Sequence, residues 1–149
     1  MQSRILFVLM ALVLGAFLPI QAAINTRLAK FVSSPVMAAF ISFAVGTVAL
    51  LAYLLGTRQF RMSGWGTGPV PWWIWIGGLL GTFYVVGIVV LVPRLGVALA
   101  FSLIVAGQMA AALIFDHFGW LGLTVREISW GRLAGAVLLV AGVFLIRKF

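Results

Sequence analysis

Five apolar stretches, at residues 5–28, 35–56, 72–92, 96–115 and 131–146, take up most of this chain. A hydrocarbon core about 30 Å thick is crossed by about 20 apolar residues in a helix, so each stretch is long enough, or nearly so, to cross one. The polar surface needed for the alternative is missing. Only 8% of the 149 residues are charged and 64% are hydrophobic, where a soluble domain averages about a quarter charged residues. The sequence therefore predicts an all-α integral membrane protein, with a single five-helix transmembrane domain over residues 1–149.

Local signals set the expected boundaries. Ser34-Pro35 offers an N-cap and a first-turn proline for the second span. The cluster Trp72-Trp73-Ile74-Trp75 opens the third span, which is expected to end before Pro93, leaving a tight Pro-Arg-Leu-Gly turn. A Gly/Pro-rich loop, "TRQFRMSGWGTGPVP", separates the second span from the third. The first 23 residues imitate a secretory signal peptide. Because the apolar run continues past Pro19, a retained first helix is the preferred reading.

Charge narrows the class further. The net charge of +8 comes from ten Lys/Arg against Asp116 and Glu127. In a soluble protein this excess would point to nucleic acid. Here the basic residues sit at or near the ends of apolar runs, so the expected partner is the bilayer and its anionic headgroups, not nucleic acid. With no cysteine and one histidine, there is no disulfide, no metal cluster and no recognisable catalytic constellation. The expectation is a protein without cofactor or metal that is not an enzyme.

Counting Lys/Arg by membrane face gives Arg4, Arg58, Arg61, Arg126 and Arg132 on one side, and Arg27, Lys30, Arg94, Arg147 and Lys148 on the other. Orientation normally follows an excess on the cytoplasmic side, and an even count supplies none. One reading is that a single loop dominates insertion, or that a span is miscounted. The sharper reading is dual topology, in which copies insert both ways and pair as an antiparallel homodimer. All six tryptophans (Trp65, Trp72, Trp73, Trp75, Trp120, Trp130) fall on the first face, and an antiparallel pair would give each interface one set. Two identical inverted chains also reproduce the inverted repeat that many secondary transporters carry within one chain.

Polar residues inside the spans must find internal partners, so they face the bundle or a water-filled cavity. Gln21 and Asn25 are four apart on one helical face beyond Pro19. They are either a substrate-binding edge of amide donors and acceptors or glue between helices. Gln108 lies near the middle of the fourth span, and Ala112 and Asp116 follow it along one side, as in a cavity wall. Tyr84, near Gly81, is either a hydroxyl facing the cavity or a buried aromatic. Asp116 stands in the last turn of its helix, where the dipole disfavours a negative charge. That placement calls for compensation by protonation, by Arg126 or Arg132, or by a cap role. Beside His117, it is a candidate for proton coupling, or else a structural cap for the "HFGWLG" turn. Small residues read as packing: Gly77 and Gly81 on the third span, and Gly131, Gly135 and Gly142 on the fifth, the last set being either the dimer contact or packing within the subunit.

Taken together, these residues resemble a known family. Gln21 and Asn25 after a proline, Gly46-Thr47, "GGLLGTFYV", "VPRLG", and above all "GQ" followed by "DHFGWLG" are similar to the YdcZ-like family of bacterial inner-membrane proteins, in the drug/metabolite transporter superfamily. The resemblance covers essentially the whole chain. It implies a multi-pass protein of the bacterial inner membrane and a five-helix half-transporter that works as a pair, but it supplies no substrate. Small multidrug exporters of the superfamily use a glutamate in their first helix; this first helix carries Gln21 and Asn25 but no acid, which disfavours proton-coupled drug export by that mechanism. The leading expectation is a secondary-active transporter for a small polar metabolite, with its site between two inverted subunits. The alternatives are a passive dual-topology ion channel and a non-transporting half-subunit that needs a partner.

Overall fold

A computed structural model describes residues 2–60 and 71–149, with side chains from Arg4 onward. Arg61, Trp65 and the glycines of the long loop lie outside the described residues. Among the described residues there are five helices long and apolar enough to cross a membrane: α1 (Gln2–Phe31), α2 (Pro35–Gly56), α3 (Ile76–Leu95), α4 (Val97–Phe118) and α5 (Trp130–Lys148). A 3-10 turn, Trp72–Trp75, leads into α3, and another, Trp120–Gly122, follows α4. The chain divides into two compact units, residues 1–93 and 94–149.

In the first unit α1 packs against α2. The contact is built on small side chains: Ala22, Ala38 and Ala39 are each at most 3% exposed, which lets the two backbones approach closely. The connection between these helices is three residues. Ser33 takes a left-handed φ of 54°, and the Ser34 amide donates back to the Ala29 carbonyl at 3.1 Å. Ser34 then caps α2, its Oγ accepting from the Met37 amide at 3.1 Å, with Pro35 in the first turn as expected. α1 runs through Pro19 as one continuous helix of 30 residues, about 45 Å at 1.5 Å per residue. The buried side chains of α3 are Val85, Ile88, Val89 and Val92, and Phe43 of α2 reaches Gly81, its ring 3.6 Å from where a Cβ would stand.

Helix ends differ by a few residues from the expected spans at α1, α3, α4 and α5, and the end of α3 differs in kind. α3 does not stop before Pro93 but continues to Leu95, and Pro93 sits inside its last turn. A proline removes one amide donor and crowds the carbonyl four residues back. In the last turn it interrupts only the end of the hydrogen-bond ladder, so the helix absorbs it. The break falls instead at Gly96, whose φ of 77° is open to glycine but strained for other residues.

In the second unit α4 packs against α5 in antiparallel fashion, with Ala100, Leu113 and Val143 buried. α4 ends at Gly119 in the left-handed region, φ 62°. A side chain there would be excluded, because a Cβ would lie 2.7 Å from Val125 Cγ2 and 3.1 Å from the Leu123 carbonyl oxygen. Large apolar side chains are exposed on every helix, among them Leu12, Phe40, Leu80, Leu103 and Leu138. In water such a surface would aggregate; in a bilayer it is the solvated face.

Candidate functional site

Hydroxyls within the spans mostly satisfy themselves. Thr47 donates to the Phe43 carbonyl at 2.8 Å, Thr82 to Gly78 at 3.0 Å and Ser102 to Ala98 at 2.8 Å. Each folds back onto its own helix, so the backbone four residues earlier absorbs the polarity. These residues need no partner from elsewhere.

Asn25 breaks this pattern. It is 3% exposed, and among the described residues no acceptor reaches its Nδ2. Its neighbour Thr26 carries a buried Oγ1 that likewise makes no hydrogen bond. An unmet buried amide costs about 1–3 kcal/mol by mutational measures, and more in hydrocarbon, where no water compensates. Asn25 lines a small cavity of about 10 Å³ whose wall also includes Leu18, Gln21, Tyr84, Ile88 and Val89. That volume is about enough for one water-sized group.

The structure thus brings together three residues singled out from sequence: Gln21 and Asn25 on α1, and Tyr84 on α3. Gln21 is exposed at the rim while Asn25 is buried below it. One turn separates them on the same helical face, so a single ligand can meet both amides. The wall carries no charged side chain. Its polar chemistry is two amides and a phenol, which suits hydrogen bonding more than ion pairing.

The remaining candidates lie in the second unit. Gln108 is exposed near the middle of α4, as is Ala112 one turn on. Asp116 and His117 fall in the last turn of α4, as expected, and their surroundings are explicit. Asp116 Oδ2 accepts from Arg132 Nη2 in an ion pair whose two side chains are each about a third exposed. The other nitrogen, Nη1, donates to the Arg126 carbonyl at 2.8 Å and the Glu127 carbonyl at 3.3 Å. The Arg126 amide in turn donates to the Asp116 carbonyl at 2.7 Å. His117 Nδ1 accepts from the Ile128 amide at 3.4 Å. Arg132 therefore clamps the end of α4 to the segment that leads into α5. It supplies the compensating charge that an acid at a helix C-terminus requires. Trp120 adds to the clamp, stacking on Phe118 at 5.3 Å and meeting Phe115 edge-on at 5.7 Å.

On α5, Gly131 and Gly135 are exposed, and an added Cβ at either would meet nothing within 4 Å. Gly142 is half-buried and borders a groove against α4. Sequence reasoning missed Thr26 and Ser129. Thr26 gives no signal because a helical threonine ordinarily bonds its own backbone. Ser129 was legible: it stands two residues before the fifth apolar run, and its Oγ accepts from the Arg132 amide at 3.3 Å as the α5 cap.

Comparison with known proteins identifies the family of the chain. Residues 6–145 match the family described as "Putative inner membrane exporter, YdcZ". The chain is 32% identical over 136 residues to "Inner membrane protein YdcZ" of Escherichia coli (strain K12), covering 90% of this chain and 89% of that protein. No solved structure shows a significant match. A family match across nearly the whole length, five membrane-length helices and an inner-membrane relative agree, and the chain belongs to the YdcZ family of bacterial inner-membrane proteins.

Proposed function

We propose that this chain is one half of a secondary-active transporter for a small polar metabolite, and that Asn25, Gln21 and Tyr84 form part of its substrate site. The family's description as an inner-membrane exporter supports transport as the activity. The observation that carries the assignment of the site is Asn25 itself, a buried amide with an unmet donor at a cavity within a lipid-solvated helix. A group kept unsatisfied at such a cost is best explained by a ligand that satisfies it during the working cycle.

The site is open on one side at Gln21, and one chain supplies only a few polar groups. Two inverted copies would double them and give the two access states that alternating access needs. The even Lys/Arg count supports insertion in both orientations. Gly131 and Gly135, unobstructed on α5, are the proposed contact between copies. Gln108, exposed near the middle of α4, is proposed as a further substrate-binding amide. Asp116 and His117 are assigned to holding the α4–α5 connection together rather than to proton coupling.

The test is flux in proteoliposomes, screened over labelled neutral, anionic and cationic metabolites. Saturable uptake that Asn25→Leu removes is expected, with the variant still folded. Wild-type flux at ion-channel rates, or saturable flux untouched by Asn25→Leu, would sink the reading. Orientation is tested separately with a single cysteine at Ser63, since the native chain has none. A membrane-impermeant thiol reagent should label about half the copies in intact cells if insertion is dual; labelling of all or none defeats the antiparallel pair.

A further inference from the structure

The α4–α5 hairpin holds a feature that the transport reading does not use. Between the N-terminal part of α4 and the C-terminal part of α5 runs an apolar groove of about 300 Å³, lined by Phe101, Ser102, Val105, Leu139, Gly142 and Ile146 among others. It offers no free hydroxyl, because Ser102 bonds its own helix at Ala98. Gly142 borders it, and an added Cβ there would meet nothing within 4 Å, so a larger side chain has room to fill the groove. The volume is at the lower end of the range of small-ligand sites.

Charge gathers at one end of this groove. Ile146 is followed directly by Arg147 and Lys148 in the last turn of α5, and both are exposed. On α4, Phe101 lies about one turn from the helix start, where the N-cap Gly96 provides no side-chain cap for the first amides. Antiparallel packing puts that start beside the end of α5: Asp116 meets Arg132 at the far end of the hairpin, while Phe101 and Ile146 share the groove at this one. An apolar channel thus leads to two exposed cations.

We propose that the groove is a binding site for one acyl chain of an anionic phospholipid, with the lipid phosphate against Arg147 and Lys148. The competing occupant, a helix from a second copy, fits the charge poorly. The chain has only two acids, Asp116 and Glu127, and Asp116 is already held by Arg132. A second copy brings mostly further positive charge to these cations, whereas a phospholipid brings an apolar tail and an anion in the order the groove presents them.

The experiment is native mass spectrometry of the purified protein from mixed micelles holding equimolar phosphatidylglycerol and phosphatidylcholine. The wild type is expected to retain phosphatidylglycerol over phosphatidylcholine by roughly tenfold, in keeping with two cations at the headgroup. Arg147→Gln with Lys148→Gln should abolish the preference. Gly142→Leu, and independently Val105→Phe from the α4 side, should lose bound phosphatidylglycerol although every charge is kept. Folding of each variant is checked by size exclusion and circular dichroism. Equal retention of the two lipids by the wild type overturns the proposal. So does full retention of phosphatidylglycerol in both groove-filling variants, which would leave only attraction to the headgroup. A change in oligomeric state caused by filling the groove also overturns it, by making the groove a contact between copies.

Discussion

Asn25 on α1 and Asp116 on α4 are both polar groups carried by membrane-length helices, yet the chain treats them in opposite ways. Asp116 accepts from Arg132, its own carbonyl accepts from the Arg126 amide, and neighbouring His117 accepts from the Ile128 amide. Asn25 is more deeply buried, yet its amide nitrogen meets no acceptor among the described residues. The difference separates polarity used for construction from polarity held for a ligand. Where the fold consumes a polar group completely, changing it should cost stability. Where the fold leaves it unmet, changing it should cost activity.

That contrast makes opposite predictions for the two sites. The largest effect is expected at Asn25→Leu: saturable flux falls by at least about tenfold, the scale of one lost ligand hydrogen bond, while thermal stability holds or rises. Replacing an unmet buried donor with an apolar side chain removes a penalty without removing a bond. A large drop in melting temperature with unchanged flux would reverse the roles assigned to the two sites.

Next comes Arg132→Ala, which removes the ion pair and two carbonyl contacts together. A loss of about 2 kcal/mol is expected for hydrogen bonds to a charged group, reduced because both side chains are about a third exposed. Asp116→Asn combined with Arg132→Gln should recover part of it, and a double-mutant cycle in detergent unfolding measures the coupling. A coupling near zero would mean that the carbonyl contacts, not the ion pair, hold the connection.

Gly119→Ala sharpens the same side of the comparison. With φ at 62° and Val125 Cγ2 at 2.7 Å from the new Cβ, a cost of about 1–2 kcal/mol is expected; denaturant unfolding reads it, with flux per folded molecule unchanged. The smallest effect is Ser129→Ala, which deletes the α5 cap at about 1 kcal/mol. If that variant reduced flux without reducing stability, the α4–α5 connection would belong to the transport cycle after all.

How much of this could be read from the sequence depends on which force decides each feature. The spans were legible because hydropathy over a membrane thickness is a sum over many residues and tolerates local exceptions. The end of α3 was misplaced for the opposite reason: it rests on one residue, and Pro93 reads as a stop unless the position of Gly96 is weighed against it. Gln21 and Asn25 were visible as a pair on one helical face. That Tyr84 joins them depends on how α3 lies against α1, which no local spacing encodes. Arg132 was one of two arginines able to answer Asp116, and only the course of the loop back over the helix end selects it over Arg126. The groove beside Gly142 was hidden because a glycine in a small-residue stripe looks the same whether it faces a neighbour or an opening.

The Asp116–Arg132 pair also has a consequence for biosynthesis. The two residues are sixteen apart in the chain, so the acid leaves the ribosome before the arginine that answers it. For that interval α4 carries an uncompensated carboxylate at its trailing end. α4 and α5 are therefore expected to settle into the bilayer together, as a hairpin closed by its last-synthesised member, rather than one after the other.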